Sequence, residues 1–339
     1  MKLAVFAYSR RGCETAELVL GCFPDAERRA FAPERIAAGG FAPAGRPAVE
    51  FYGGQFRWAD AMVFVGACGI AVREIAPHVR DKKTDPAVLC VDELGQFVIP
   101  LLSGHIGGAN ALALELAAQI GAVPTVTTAT DINHRFSVDA WAKRQGLIID
   151  SMPAAKAVSA AILERDVPLR SDFPVRGSLA PGLIAGADGE VGIAVTCGTE
   201  EPFGTTLRLI PQVLHLGLGC RRNTPKEAIA EAVETVLRQH GIDRRSIRCA
   251  ASIDLKADEA GLLAFCRENG WPVTFYSAEE LLRVEGDFTP SEFVRSIAGV
   301  DNVCERAAAL GAERLIVRKT AQNGVTVAIA AEKYEVCFE

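Results

Sequence analysis

Residues 101–131 read LLSGHIGGANALALELAAQIGAVPTVTTATD, and this stretch decides the fold. An apolar, strand-like run ends at Leu101. Ser103, Gly104, His105, Gly107, Gly108 and Asn110 follow as a polar, glycine-rich turn. The apolar spacing then predicts a helix over about 108–120, with Gly121 as a left-handed stop and Pro124 keeping the helix from resuming. A second strand is expected at 125–128, closing with Thr127, Thr128, Thr130 and Asp131. Strand, turn, helix and strand in succession are the unit of an α/β sheet. In open sheets of that class, ligands bind beyond the carboxyl ends of the strands.

Gly104, Gly107 and Gly108 carry no Cβ, so their backbone can adopt positive φ and approach a ligand closely. The first amides of the expected helix favour an anionic group. Within the turn, His105 has an ordinary pKa near neutrality and can give or take a proton without a large shift. Neither common nucleotide loop is present. A Walker A loop ends in Gly-Lys-Ser/Thr, whereas this helix opens with Gly108-Ala109-Asn110, and the glycine spacing does not match G-x-G-x-x-G.

Outward from this stretch, the first part of the chain reads as repeated strand–helix units. Strands are expected at 3–7, 61–65, 87–91 and 97–101, with helices at 14–20 and 70–76. This alternation implies a mostly parallel, covered sheet. Residues 31–54, rich in glycine and proline, read as an irregular insertion. Past residue 132 the pattern loosens: helices at 138–144 and 154–165 precede a glycine- and proline-rich stretch, 174–204, expected to form short antiparallel strands. A fresh α/β pattern starts at Gln212, with strands at 247–253, 273–276, 314–318 and 325–330 and helices at 225–240 and 259–269. Three shorter helices complete it. The expected organisation is an N-terminal parallel-sheet α/β domain (1–133), a small α+β middle domain (134–210) and a C-terminal α/β domain (211–339).

The C-terminal part has its own glycine turn, Leu216-Gly217-Leu218-Gly219-Cys220-Arg221-Arg222. Thr224, Pro225 and Glu227 read as N-cap, first-turn proline and the acidic end of a capping box. The helix start would then lie beside two arginines, a good setting for a carboxylate.

Bulk properties narrow the function. The 339 residues are 49% hydrophobic and 23% charged, ordinary for a globular enzyme of two or three domains. A net charge of −6, with no basic stripe interleaved with aromatics, argues against nucleic acid. No apolar run is long enough for a membrane span and no secretory signal is evident, so a cytoplasmic location is expected. The ten cysteines are scattered without a C-x-x-C pair and read as small buried hydrophobes, not as a metal site or a disulfide framework.

SGHIGGAN followed by a helix and VTTATD resembles the cobalt-precorrin-5A hydrolases of anaerobic cobalamin biosynthesis, the CbiG family. The Gly-Cys-Arg-Arg turn at 219–222 is similar to theirs. So are SIDLKADEAGL (252–262), SEFVRSIAGVDNVCERAAAL (291–310) and the ending LIVRKT…VTVAIA. The similarity covers nearly the whole chain and is weakest over 1–50 and 136–210. The sequence departs from the pattern at Asn223, where glycine is usual, and at Arg306, where a small residue is commoner.

The resemblance implies an enzyme that hydrolyses the δ-lactone of cobalt-precorrin-5A and releases acetaldehyde to give cobalt-precorrin-5B. The cobalt belongs to the substrate, and no cofactor held by the protein is expected. On this reading the two glycine turns would grip a flat corrinoid with carboxylates at its rim. His105 is the candidate general base, and amides of the 104–108 turn with the Ser103 or Thr128 hydroxyl are oxyanion donors. Asp131 or Glu74 would orient the histidine or shuttle its proton. Gly104, Gly107, Gly108, Asn110, Thr127, Thr128, Gly219, Arg221, Arg222, Lys256 and Glu305 are the expected substrate-binding residues. Direct attack by water is favoured over a Ser103 nucleophile, since G-x-S-x-G is absent. The alternative is a non-catalytic carrier of a corrinoid intermediate, and a transient hand-off to other enzymes of the pathway fits either reading.

Overall fold

The computed structural model describes residues 1–81, 84–105 and 107–338, with the side chains of 293 and 294 also outside the description. Ile106, within the SGHIGGAN turn, therefore lies outside the described residues. The chain divides into two compact units, Met1–Ala140 and Trp141–Glu339.

The first unit contains β1 (Lys2–Ala7), α1 (Arg10–Gly21), β2 (Glu27–Ala32), β3 (Ala42–Pro43), α2 (Ala48–Trp58), β4 (Ala61–Val65), α3 (Cys68–Ile75) and β5 (Ala87–Val91). It continues through β6 (Phe97–Leu102), α4 (Ala109–Ile120), β7 (Val123–Pro124) and α5 (Ala129–Ile132), and α6 (Val138–Arg144) leads out of it. Seven strands form one sheet in the order β3-β2-β1-β4-β5-β6-β7. The run Leu3–Ala7 is buried throughout because both faces of the sheet are covered. Leu3, Val5 and Ala7 pack with Ala16 and Val19 of α1 and with Ala113 and Leu116 of α4. Ala4 and Phe6 pack on the other face against Tyr52 and Phe56 of α2 and Ala71 and Ile75 of α3.

Two expectations are corrected here. Residues 31–54 are not an irregular insertion, since they hold β3 and the first half of α2. The pair Gly53-Gly54, which suggests a break, lies inside that helix. A Cβ on Gly53 would stand 2.7 Å from the His78 ring, so this glycine makes room for a packed neighbour. The second correction is strand direction. β6 runs antiparallel to β5, pairing Val88 with Leu102 and Val91 with Val98, while β1, β2, β4 and β5 are mutually parallel. The turn after β6 therefore leaves the sheet at the edge where the parallel strands begin, not at their carboxyl ends.

The second unit opens with β8 (Ile148–Ile149), α7 (Met152–Glu164), β9 (Val167–Ser171), β10 (Val175–Arg176), β11 (Leu183–Ala185), β12 (Val191–Val195) and β13 (Thr205–Ile210). The sheet order β11-β9-β12-β13-β8 is parallel apart from β8. This corrects the expected antiparallel strands of 174–204. β12 is buried at four successive positions, as a strand covered on both faces must be.

The unit continues with β14 (Leu214–Cys220), α8 (Lys226–Gln239), β15 (Ile247–Ile253), α9 (Ala260–Asn269), β16 (Val273–Tyr276), α10 (Ala278–Leu282), α11 (Glu292–Ala298), α12 (Cys304–Ala309), β17 (Arg314–Gln322) and β18 (Val325–Ala331). The short β19 (Val336–Cys337) pairs with β10. The third sheet runs β16-β15-β14-β18-β17, with β14, β15 and β16 parallel and β18 antiparallel to β14. Helix α12 lies so close to β14 that a Cβ on Gly217 would fall on the Cys304 carbonyl oxygen.

Gly217→Ala should lower stability by about 1–3 kcal/mol, the usual cost of forcing atoms into a packed interior. Gly69→Ala in α3, where a Cβ meets nothing within 4 Å, should leave stability unchanged or slightly higher. Urea midpoints of the two variants check this; an unchanged midpoint for Gly217→Ala would show that α12 gives way freely.

Candidate functional site

In the first unit, the turn between β6 and α4 folds on itself before it meets anything else. Ala109 and Asn110, at the start of α4, donate their backbone N–H to the carbonyls of Ser103 (3.1 Å) and Gly104 (2.9 Å), and Gly108 donates to His105 (3.0 Å). The helix start is thus largely occupied by its own loop, which weakens the expected anion site. Gly107 is a glycine because a Cβ there would run into Ser103, with the carbonyl oxygen 2.7 Å away. Gly104 lies under Asn110, whose Oδ1 would be 2.8 Å from an added Cβ. Gly108, at φ 86°, has open space beside it and is the member of the three free for close approach.

Ser103 is 7% exposed, and its hydroxyl donates to the carbonyl of Asp85 (3.1 Å). It ties the turn to the start of β5. The Ser103 hydroxyl, expected as a catalytic or oxyanion group, here faces into the protein and gives its proton to that carbonyl.

The imidazole of His105 lies between two carboxylates. Nε2 is 2.9 Å from Oδ2 of Asp131, on α5, and Nδ1 is 3.3 Å from Oδ1 of Asp139, in the first turn of α6. Thr130 Oγ1 stands 3.3 Å from Nε2. The Asn110 amide, in the first turn of α4, donates to Oδ2 of Asp131 and to Oγ1 of Thr128, each at 2.8 Å. Hydrogen bonding to Asp139 is the strongest influence on the ring and raises its pKa. Burial opposes that, and the Asp131 hydrogen bond adds to the rise; the net pKa lies above the ordinary histidine value. A general base needs an unprotonated ring nitrogen with a free lone pair, and the geometry instead favours an imidazolium donating at both nitrogens. Asp131, with a side chain 36% exposed, meets His105 and Asn110 through Oδ2 alone. Among the described residues no hydrogen bond falls on its Oδ1.

Other residues expected at this site lie elsewhere. Glu74 sits on α3, and its charge acts on the hydroxyls of Tyr8 and Tyr52, which share a 2.9 Å hydrogen bond. Thr127 is exposed in the extended segment before α5; β7 stops at Pro124, short of the strand expected at 125–128. Asp139 was absent from the expected set. Nothing around it in the sequence forms a motif, and it reaches His105 only because α5 and α6 turn the chain back.

The second unit presents the Gly-Cys-Arg-Arg turn at the end of β14. Gly219 accommodates Thr326 of β18, whose Oγ1 would lie 2.5 Å from an added Cβ, so packing requires this glycine. Arg222 Nη1 donates to both carboxylate oxygens of Asp258 (2.7 and 2.8 Å), and its Nε is 3.4 Å from Glu259. Lys256 bonds the same buried Glu259 at 3.1 Å. Arg221 is exposed, and among the described residues no ion pair engages it. Asn223 takes a left-handed φ of 59°, a conformation asparagine tolerates better than most residues, which is why it can stand where glycine is usual. The helix after the turn has Pro225 as N-cap with no side-chain bond. Thr224 donates instead to the Arg221 carbonyl (2.8 Å), so the expected capping box does not form.

Glu305, expected to bind substrate, is engaged within the protein. It is 0% exposed, and both its oxygens are occupied by Thr289 N–H (2.6 Å) and hydroxyl (2.9 Å), Asn302 Nδ2 (2.8 Å) and Lys319 N–H (2.6 Å). It joins α12 to β17 and to the loop before α11. Arg306, the other departure from the family pattern, donates to Asp301 (3.0 Å) and to the carbonyls of Leu281 and Val284, which fastens the end of α10.

Among the described residues, no group of three or more His, Cys, Asp or Glu side chains is arranged to hold a metal ion, and no helix is long and apolar enough to cross a membrane.

Family models match both parts of the chain: cobalamin synthesis G N-terminal over residues 50–131 and cobalamin synthesis G C-terminus over 214–330. The chain is 34% identical to a cobalt-precorrin-5A hydrolase of Salmonella typhimurium over 331 residues, covering 93% of this chain and 92% of that protein. It is 32% identical to one from Priestia megaterium, covering 83% and 80%. A solved cobalamin biosynthesis protein G homologue from Sulfolobus solfataricus aligns over 97% of each chain at 21% identity, with a TM-score of 0.42. Identity above 30% sustained along nearly the full length, on top of the two matched models, means that the chain belongs to the cobalt-precorrin-5A hydrolase family.

Proposed function

We propose that this protein hydrolyses cobalt-precorrin-5A, opening its δ-lactone and releasing acetaldehyde to give cobalt-precorrin-5B. Family membership supports the reaction. The observation that carries the site is the imidazole of His105 lying between Asp131 and Asp139, with an oxygen of Asp131 left open. The cobalt is part of the substrate, and the chain's residues supply binding and proton transfer.

Asp131 takes a proton from the attacking water as it adds to the lactone carbonyl. The acyl C–O bond breaks, the imidazolium of His105 protonates the departing alkoxide and regains a proton from Asp131, and the ring acetate loses its remaining proton to solvent as it is freed as a carboxylate. The freed alcohol then returns its O–H proton to the pair. Its C–C bond to the macrocycle breaks, its oxygen becomes the carbonyl of acetaldehyde, and the electron pair stays on the macrocycle, which takes up the proton. Asn110 holds Asp131 in place through Oδ2. Open space beside Gly108 leaves room for a ring edge. In the second unit, taken by itself, Arg222 and Lys256 are engaged with Asp258 and Glu259, and among the described residues no ion pair engages Arg221.

Mixing the protein with cobalt-precorrin-5A should release acetaldehyde in proportion to substrate consumed, read by trapping the aldehyde. Binding without release would identify a carrier. Asp131→Asn and His105→Gln should each cut turnover by roughly 10²–10⁴-fold, the usual range for a lost acid–base group. Ser103→Ala should keep most of it; the reverse ordering sinks the assignment.

The raised pKa of His105 also sets a pH dependence of stability. A folded-state value above the unfolded one stabilises the fold fully below the unfolded value, and that contribution disappears as pH rises through the folded value. The urea midpoint of the wild type should therefore exceed that of His105→Gln most at mildly acidic pH, and the gap should narrow as the pH becomes alkaline. A gap that widens with pH would contradict the doubly paired ring.

A further inference from the structure

Asp139 has no part in the family motifs, yet its carboxylate lies against the face of the site away from Asp131. Its side chain is 9% exposed, with Oδ1 3.3 Å from Nδ1 of His105. The same oxygen accepts from the hydroxyl of Ser137 and the backbone N–H of Ala140, each at 3.0 Å, so the carboxylate is fixed before the imidazole meets it. Two carboxylates of the described residues pair with the ring, Asp131 from α5 and Asp139 from α6. Thr130 on α5 is neutral, as is Asn110 of α4, which reaches the ring's partner Asp131.

We propose that Asp139 is a positioning residue for the reaction: it holds the Nδ1–H of His105, presents Nε2 to Asp131, and keeps the imidazole charged between turnovers. The proposal rests on the reading of His105 and Asp131 as the proton-transfer pair.

The arrangement has a clear division of labour. A ring paired only at Nε2 could rotate about its side-chain bonds or lose its proton to Asp131, and the pair would then start each cycle in an undefined state. A second carboxylate on the buried side sets both ring orientation and charge. Asp139 is nearly enclosed and its Oδ1 is shared among three donors, whereas the side chain of Asp131 is 36% exposed. Fixing a histidine through the nitrogen not engaged in chemistry is the general means by which proteins set its tautomer and basicity.

The test is Asp139→Asn in the full chain. The substitution keeps an oxygen for Ser137, Ala140 and Nδ1 but removes the charge. Histidine 13Cε1 resonances followed against pH report the ring, and the His105 signal is the one missing in His105→Gln. An opposite charge at this range shifts a pKa by about 1–3 units. The His105 midpoint should therefore fall by about one unit or more in Asp139→Asn and return most of the way in Asp139→Glu. With cobalt-precorrin-5A, kcat should fall roughly 10–100-fold at little change in KM, and the pH–rate profile should move in the same direction as the ring titration. If Asp139→Asn is poorly folded by circular dichroism, Asp139→Ser, which keeps a hydroxyl for the α6 start, takes its place with the same expectations. An unmoved His105 titration overturns the proposal. A moved titration with kcat and its pH profile unchanged also overturns it, leaving Asp139 as a helix-start residue. Failure of the underlying reading looks different: His105→Gln would then turn over at the wild-type rate whatever Asp139 does to the ring.

Discussion

One imidazole has a carboxylate oxygen 2.9 Å from one nitrogen and another 3.3 Å from the other. Each contact is favourable only with a proton between the atoms, so the ring is most stable carrying both protons. From that follow the charge of the site and the proposal that the more exposed Asp131, not the ring, serves as the base. It also explains a good deal of local architecture. The turn after β6, the short α5 and the start of α6 must converge on one point, and Asn110 and Thr128 fasten two of them together.

The glycines around both turns have a different meaning from the one their abundance suggests. Gly104, Gly107, Gly217 and Gly219 each sit where the protein's own atoms occupy the space a side chain would take. A glycine-rich turn signals that something approaches the backbone closely, but sequence does not distinguish a ligand from a neighbouring helix or strand. Here the neighbour is usually the chain itself, and Gly108 is the exception that opens outward.

Charged residues in family-like blocks divide in the same way. Glu305 and Glu259 are almost completely enclosed and bonded on both oxygens; they are anchors, since a buried carboxylate is tolerable only when its acceptor capacity is filled. Arg222 and Lys256 neutralise such anchors from the rim. Arg221, next in the chain to Arg222, has no such duty. A stretch of polar residues that looks uniform in sequence thus separates into those that hold the fold and those, such as Arg221, that stay exposed.

The sequence by itself determined the α/β class, most strands and helices, and singled out His105, Asn110 and Asp131, which the structure joins by hydrogen bonds. Those features follow from local periodicity and from residue types gathered within 30 positions of one another. It also carried the family resemblance, because motifs are contiguous. Only the tertiary structure decided that β6 runs antiparallel, that Ser103 faces inward, that Glu74 belongs beside Tyr8 and Tyr52, and that Asp139 completes the His105 array. Strand direction depends on where a chain turns in space, and α2 was obscured because Gly53 answers to a distant His78. A side chain's partner across 34 residues, as between His105 and Asp139, leaves no local periodic mark, since it is created when three short elements fold back onto one another.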